Sequence, residues 1–128
     1  LNDNCRALVE RNITCVVSVV SADKRALPKS IISEHLHIHA HDDSKANLLQ
    51  QFPRIVEFVD QNLKRNNCVY IHCGAGVSRA PTSTTAYLMW RYRLPATEAL
   101  TMVKRARPMA RPNVNFVSQL KEWEKHIE

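Results

Sequence analysis

The sequence predicts one α/β domain with a central mixed, partly parallel sheet flanked by helices. Short β-branched runs alternate with amphipathic helical stretches in the first part of the chain, and only helical stretches follow residue 80. The length of 128 residues suffices for one hydrophobic core but not for two. Residues 1–128 are therefore expected to form a single domain.

Three segments have the residue pattern of strands. The run TCVVSVV at 14–20 is β-branched and apolar, which is typical of a strand buried on both faces. The run HLHIHA at 35–40 alternates with period two. Its apolar residues are expected on one face: Leu36, Ile38 and Ala40. The run CVYIHC at 68–73 is bounded by asparagines before it and glycines after it, and it predicts the third strand.

Helical periodicity marks the remaining stretches. Helices are predicted at 5–12, 48–64, 81–93, 95–107 and 114–127, with Pro53 in the first turn of the second and a loop at 21–31. Their apolar positions predict the core: Phe52, Ile55, Val56, Val59, Leu63, Ala86, Leu88, Met89, Tyr92, Ala99, Leu100, Val103, Phe116, Leu120 and Trp123.

Composition and charge limit the classes of function. The net charge is +6, and all of the excess lies in residues 65–128, with ten basic and four acidic side chains. Such an excess favours an anionic partner, whether a phosphate ester, a nucleic acid or an acidic peptide, although a solvated basic face would look the same. No stretch approaches the roughly 20 apolar residues of a membrane span, and the first residues lack a signal-peptide pattern. We expect an intracellular protein, cytoplasmic and/or nuclear, without membrane insertion.

The segment HCGAGVSRAPT at 72–82 carries the chemistry. It holds both glycines of the chain, and it connects the third predicted strand to a helix. Backbone N–H groups at such a turn, with a helix dipole behind them, form a cradle for an anion. Arg79 adds a planar fork for two phosphate oxygens, and Cys73 lies where a thiolate could attack phosphorus. The competing interpretation of Cys73 is a buried structural cysteine in a simple turn.

The motif H-C-x-x-G-x-x-R at 72–79 resembles the signature of cysteine-based protein phosphatases, and GVSRAPT resembles their dual-specificity branch. The resemblance extends from about residue 5 to residue 126 and implies the cysteine-phosphatase fold of the small dual-specificity type. It implies Cys73 as the nucleophile and His72 as a residue that sets the loop and the ionisation of the thiol. It also implies a group of phosphate-binding residues: Gly74, Ala75, Gly76, Val77, Ser78 and Arg79. The chemistry needs no metal and no cofactor.

A general acid is required because serine, threonine and tyrosine oxygens are poor leaving groups. Asp42 and Asp43 are the candidates, on a loop after the second predicted strand. Asp42 lies six residues before Leu48, which is the spacing that the resembled family uses for its acid, and it is preferred to Asp43. The alternative is that both carboxylates only solvate the loop and help to start the next helix.

Three further points follow from the resemblance. Ala80 stands where a serine or threonine hydroxyl is usual, so slow hydrolysis of the phosphocysteine is expected. Asn113 resembles a position that braces the active site, but it could equally be a helix cap. The family has another strand before Leu1, so the sequence is expected to be a catalytic domain trimmed at its N-terminus.

Two groups of side chains suggest other chemistry. The histidines at 35, 37, 39 and 41 alternate and could hold zinc, although a partly exposed strand face is the simpler interpretation. Cys68 lies too far along its strand from Cys73 for a disulfide. Cys5 or Cys15 could reach Cys73 only if the fold brings them close.

The predicted function is hydrolysis of phosphotyrosine and of phosphoserine or phosphothreonine on proteins, so the expected partner is a phosphorylated protein, with a kinase as one candidate. A weakly active phosphoprotein-binding module is an alternative suggested by Ala80. A phosphatase of RNA 5′-triphosphate is another, since four basic residues, Lys104, Arg105, Arg107 and Arg111, follow one another closely. A phosphatase of phosphoinositides is a further alternative, although Ala75, Val77 and Ser78 lack the charge that would bind additional phosphates. Nucleic-acid binding is otherwise not expected.

Overall fold

The computed structural model describes residues 13–21, 32–74 and 76–127. Within these ranges, three strands form a sheet in the order β2-β1-β3. They are β1 (Cys15–Val20), β2 (Glu34–His39) and β3 (Val69–His72). Both pairings are parallel. The three predicted strands are therefore confirmed, while the antiparallel part of a mixed sheet does not occur among the described strands. The helix predicted at 5–12 and residues 22–31 of the predicted loop lie outside the described residues.

The two faces of the sheet differ in what covers them. Val17, Val19 and Ile38 point into the main core, which the helices complete. On the other face, Val16 and Ile32 form a small apolar cluster. Because β1 is covered on both sides, its first five residues are all buried, as the β-branched run predicted.

Four helices follow the predicted stretches. They are α1 (Phe52–Lys64), α2 (Arg79–Tyr92), α3 (Ala96–Ala106) and α4 (Val114–His126), with a 3₁₀ turn at Leu49–Gln51 before α1. Helix α2 begins two residues before the predicted start at Pro81. A proline in the first turn is tolerated because the N–H groups there have no partner within the helix. None of the described helices is long and apolar enough to cross a membrane.

Helix α2 is the central helix of the domain and carries buried hydroxyl groups. Four consecutive hydroxyls donate to the carbonyl oxygens four residues earlier, over distances of 2.7 to 3.1 Å, and the donors are Thr82, Ser83, Thr84 and Thr85. Three of these residues have no exposed surface. Because each hydroxyl finds a partner on its own helix, α2 can cross the core despite its polar sequence.

Most predicted core residues are buried, Leu88 and Leu100 are half-buried, and two are exposed. In α4, Phe116, Leu120 and Trp123 are buried, and Trp123 donates from Nε1 to the carbonyl of Ala86 in α2 at 3.1 Å. Leu63 and Tyr92 were predicted inside but are 43% and 58% exposed. Both lie in the last turn of their helices. The periodic pattern of apolar residues does not reveal whether other segments of the fold cover the end of a helix.

Candidate active site

Cys73 follows the last residue of β3 directly and is buried, with 9% of its surface exposed. Its sulfur accepts a hydrogen bond of 3.3 Å from the backbone N–H of Ala80 in the first turn of α2. Among the described residues this N–H is the one hydrogen-bond partner of the sulfur. The N-terminal end of the helix, where the helix dipole is positive, therefore lies at the sulfur.

The two glycines that flank Ala75 serve different purposes, and Ala75 itself lies outside the described residues. Gly76 has a φ of 73°, in the left-handed region that side chains disfavour. Gly74 has no positive φ, but a Cβ there would lie 3.0 Å from Nη2 of Arg79. The sequence suggested backbone freedom for both, and that reason applies only to Gly76. At Gly74 the missing side chain leaves room for the arginine.

Arg79 is the first residue of α2, and its guanidinium is held from one side. Its Nη1 donates to the carbonyl of Ala40, just beyond β2, at 3.1 Å. Its Nε is buried and has no hydrogen-bond partner, and it is the only such side-chain nitrogen or oxygen among the described residues. A buried donor without a partner costs free energy unless a ligand or water completes it.

The two candidate acids have different hydrogen bonds. Asp43 accepts from the backbone N–H groups of Lys45 and Ala46 at 2.9 and 2.8 Å, so its carboxylate closes a turn of its own loop. Asp42 is exposed and accepts a 2.7 Å bond at Oδ1 from Nδ2 of Asn113. Each carboxylate thus accepts through Oδ1, but the bonds of Asp43 stay within its own loop, whereas that of Asp42 comes from a distant segment that also contacts Ser78 of the phosphate loop.

Asn113 connects three parts of the domain. Its Oδ1 accepts from the N–H of Phe116 at 2.9 Å and caps α4. Its Nδ2 reaches Asp42, and its backbone N–H donates to Oγ of Ser78 at 3.0 Å. The sequence left a brace and a helix cap as alternatives; the structure shows the cap and, from the same residue, hydrogen bonds to Asp42 and Ser78.

His72 lies in a row of polar side chains on the face of the sheet opposite the main core. Its Nε2 is 2.5 Å from Oγ of Ser18, and the same Oγ is 2.8 Å from Nε2 of His35. The ring of His72 also stacks on Tyr70 with a centroid distance of 5.6 Å. Burial, and then the positive charge of His37, lower the pKa of His72 below its ordinary value of 6.5. Both effects favour the neutral form of His72.

Comparisons with known proteins show the family to which this chain belongs. The family described as "Dual specificity phosphatase, catalytic domain" matches residues 3–126. The chain belongs to the dual specificity phosphatase family. It is 40% identical over 118 residues to Dual specificity protein phosphatase 22-B of Danio rerio, covering 91% of this chain and 62% of the relative.

Solved structures of the family have the same fold. The crystal structure of DUSP15 has a TM-score of 0.88 at 27% identity and covers 95% of this chain and 76% of its own. That of human DUSP28 has a TM-score of 0.85, also at 27% identity, and covers 94% and 80%. The chain spans 43%, 62% and 32% of the length of three curated relatives, from Dictyostelium discoideum, Arabidopsis thaliana and Homo sapiens.

The parallel register of the dual-specificity domain separates Cys15 from the loop. The register pairs Cys15 with Val69, so Cys73 lies four residues further along, or about 13 Å. A disulfide needs α-carbons within about 7 Å, so Cys15 is out of reach, and Cys5 lies outside the described residues. In the described ranges no three histidine, cysteine or acidic side chains are close enough to hold a metal ion.

Some contacts of this dual-specificity domain escaped the sequence analysis. Gln119 accepts at Oε1 from the N–H groups of Leu48 and Leu49 at 2.9 and 2.8 Å, and donates to the carbonyl of Ala46 at 2.7 Å. Asn115 donates to the same carbonyl at 2.8 Å. The signal for both lay in PNVNFVSQL, where polar residues recur on one side of a helix that follows a proline. The contact of Ser18 with His72 had no local signal.

Proposed function

We propose that this domain is a cysteine-dependent phosphatase that hydrolyses phosphotyrosine and phosphoserine or phosphothreonine on proteins. The observation that carries the proposal is the unpartnered, buried Nε of Arg79 at the loop that holds Cys73. A phosphate oxygen is a fitting acceptor, because a guanidinium binds phosphate through two parallel N–H groups. Nη1 is bound to Ala40, which leaves Nε and Nη2 for the ligand.

In the first proposed step, the Cys73 thiolate attacks phosphorus opposite the ester oxygen. The S–P bond forms, the P–O bond breaks, and Asp42 gives its proton to the departing oxygen. The N–H groups of the loop and Arg79 stabilise the charge on the three phosphoryl oxygens. Asn113 supports the role of Asp42 because its amide fixes one carboxylate oxygen.

In the second proposed step, water attacks the phosphocysteine. The Asp42 carboxylate takes a proton from that water, the O–P bond forms, and the S–P bond breaks to return the thiolate. The sulfur that leaves receives one described hydrogen bond, from the Ala80 N–H, and no hydroxyl. Because Ala80 has no hydroxyl to donate to that sulfur, we expect this step to limit turnover.

The described loop side chains support a protein substrate. Val77 and Ser78 are uncharged, so they offer no cation for the additional phosphates of a phosphoinositide. Membership of the dual specificity phosphatase family supports activity towards both kinds of phosphoresidue. We propose that residues 1–128 act as one catalytic domain on an intracellular phosphoprotein, a phosphorylated kinase being one candidate.

The experiment is rapid-mixing hydrolysis of p-nitrophenyl phosphate by the unmodified chain, by Cys73→Ser and by Ala80→Ser. We expect a burst followed by a slow steady state in the unmodified chain, and no turnover in Cys73→Ser. In Ala80→Ser, a hydrogen bond to the leaving sulfur should raise the steady-state rate roughly threefold to tenfold and leave the burst rate nearly unchanged.

The outcomes separate the alternatives. Equal burst and steady-state rates in Ala80→Ser and the unmodified chain would refute the slow second step. Phosphate binding without a burst or turnover would favour the phosphoprotein-binding module. Faster hydrolysis of RNA 5′-triphosphate or phosphoinositide than of phosphopeptides would replace the proposed substrate class.

A further inference from the structure

A cavity with a volume of about 340 Å³ opens where α1, α2 and α4 meet, and no residue of the proposed phosphate site lines it. We call it the tryptophan pocket, since both tryptophans of the chain line it. Its walls include Pro53, Val56, Glu57 and Asp60 of α1, Trp90 of α2 and Trp123 of α4. The volume is at the lower end of the range for ligand pockets, so the cavity suits one large side chain or a small ligand.

The two indoles of the tryptophan pocket have different surroundings. Trp123 is buried, its Nε1 donates to the carbonyl of Ala86 at 3.1 Å, and its ring lies edge-on to Phe52 with a centroid distance of 5.6 Å. Trp90 is half-buried, and the guanidinium of Arg93, which does not line the pocket, lies 5.8 Å from its ring centroid. An indole attracts cations through the face of its ring, and Trp90 already makes one contact of this kind.

Two carboxylates line the tryptophan pocket, and the described residues that line it include no lysine, arginine or histidine. Asp60 is buried, and its Oδ2 lies 2.9 Å from Nζ of Lys64, so a cation already balances its charge. Glu57 is exposed and accepts a 3.2 Å hydrogen bond from Nε2 of Gln61, which is a neutral donor. The salt bridges among the described residues do not include Glu57, so its carboxylate is available to a cation from outside.

The arginines on the same helices do not supply that cation. Arg54, also on α1, donates from Nη1 to Oε1 of Gln51 at 3.1 Å. Arg91, which follows Trp90 in α2, lies over the ring of Tyr92 at 5.3 Å from its centroid. Both guanidinium groups are therefore engaged outside the tryptophan pocket.

Charge complementarity favours a basic ligand in this cavity. The net charge of +6 repels a basic partner over most of the surface. A second cavity, at the C-terminal end of α2, is lined by one arginine and one glutamate, Arg93 and Glu124, whose charges oppose each other. The tryptophan pocket instead presents two carboxylates beside apolar and aromatic walls.

We propose that the tryptophan pocket is a docking site for one arginine side chain on an exposed segment of a partner protein. The guanidinium contacts the indoles and pairs with Glu57, while the aliphatic stem packs against Pro53 and Val56. Arginine fits better than lysine, because its planar guanidinium stacks on aromatic rings and binds a carboxylate through two parallel hydrogen bonds. The inference goes beyond the proposed function, since it involves neither Cys73 nor a phosphate.

The test follows the indole N–H signals of the isotope-labelled chain by NMR during a peptide titration. Because the chain has only the two tryptophans of the pocket, every indole signal reports on that pocket. The probe is a short capped peptide with one arginine among glycines, and the comparison peptide has citrulline, which has the same shape without the charge. We expect the Kd of the citrulline peptide to be roughly threefold to tenfold higher, with a ratio that decreases with added salt.

Glu57→Gln keeps the size of the side chain and removes its charge. Glu98→Gln, on α3, is the matched control, because Glu98 is equally an exposed helical residue and does not line the pocket. We expect the Kd ratio to approach one in Glu57→Gln and to persist in Glu98→Gln. Trp90→Leu should also lower the ratio, which is then measured from the Trp123 signal. Because each ratio is taken within one variant, a change that weakens both peptides alike cancels.

Indole signals that do not move, equal Kd values for the two peptides, or an unchanged ratio in Glu57→Gln would overturn the docking site. So would indole signals that shift with protein concentration in the absence of peptide, because a second copy of the chain would then occupy the pocket. Turnover of p-nitrophenyl phosphate reports separately on the proposed function and should be the same in Glu57→Gln as in the unmodified chain. A chain that binds the arginine peptide as expected but has no turnover would retain the docking site and lose that function.

Discussion

At Asp42 and Asp43, two adjacent residues of one type have different surroundings. The oxygen of Asp43 that accepts from Lys45 and Ala46 closes a turn, which an asparagine oxygen could also do. The Asp42 oxygen accepts instead from Asn113, whose backbone N–H contacts Ser78 of the phosphate loop, so this carboxylate is oriented from the side of the proposed site. Proton transfer to a leaving group requires a carboxylic acid. Replacing the carboxyl group by an amide should therefore reduce catalytic activity at only one of the two positions.

We predict that Asp42→Asn lowers kcat towards phosphopeptides by about 10²-fold to 10⁴-fold, because an amide cannot protonate the leaving oxygen. Asp43→Asn, the matched control, should change kcat only a few-fold. Steady-state kinetics on a phosphotyrosine peptide and on p-nitrophenyl phosphate checks this. The effect of Asp42→Asn should be smaller for p-nitrophenyl phosphate, whose leaving group needs less protonation. Equal losses in both variants would contradict the assignment.

Helix α4 and the acid loop meet at Asn113, so one residue affects both stability and the site. Its Oδ1 satisfies a free N–H at the start of the helix, and its Nδ2 donates to Asp42. The two functions use different atoms of the amide. An aspartate could perform the first but could not donate to another carboxylate.

We predict that Asn113→Ala lowers the free energy of unfolding by about 1 kcal/mol and also lowers kcat, because it removes both hydrogen bonds. Asn113→Asp should retain the helix cap, and hence most of the stability, while kcat falls as in Asn113→Ala. Urea unfolding followed by circular dichroism gives the first quantity, and turnover of a phosphopeptide gives the second. If Asn113→Asp retained full kcat, the link to Asp42 would have no catalytic role.

The stability of the whole molecule should depend on pH through the sheet. Burial and the charge of His37 lower the pKa of His72 in the folded state. The unfolded chain then binds more protons than the folded chain below pH 6.5. The contribution of His72 to stability is complete above pH 6.5 and is lost as the pH falls through its lower folded-state pKa.

We predict that the free energy of unfolding falls between pH 7.5 and pH 5, and that His72→Asn reduces this dependence. His41→Asn is the control, because His41 is exposed and lies beyond β2. Chemical denaturation at several pH values measures the slope for each variant. The same slope in His72→Asn and in the unmodified chain would show that other groups cause it.

The sequence predicted those parts of the molecule whose signals are local. Strands β1 to β3 and helices α1 to α4 were recognisable from the periods of their apolar residues. The loop at 72–80 was recognisable because its residues are contiguous. The exposure of Leu63 and Tyr92 was missed because it depends on how far the neighbouring layer extends.

Contacts between distant segments could not be predicted in the same way. Arg107 was visible as a basic residue, but its position on Gly76 depends on how α3 ends and where the chain turns next. The bond between Ser18 and His72 depends on the parallel register of β1 and β3. Such contacts follow from the packed fold, in which residues far apart in sequence become neighbours.

The bond from Arg79 to the carbonyl of Ala40 has a consequence for the entropy of ligand binding. A free arginine side chain has about 2 kcal/mol of rotamer entropy, which a ligand must overcome when it immobilises the group. Here the guanidinium is already restrained before any ligand arrives, so part of that entropy loss occurs during folding. The loop is a preorganised receptor, and a phosphate should bind it with a smaller entropic penalty than it would incur at a mobile arginine.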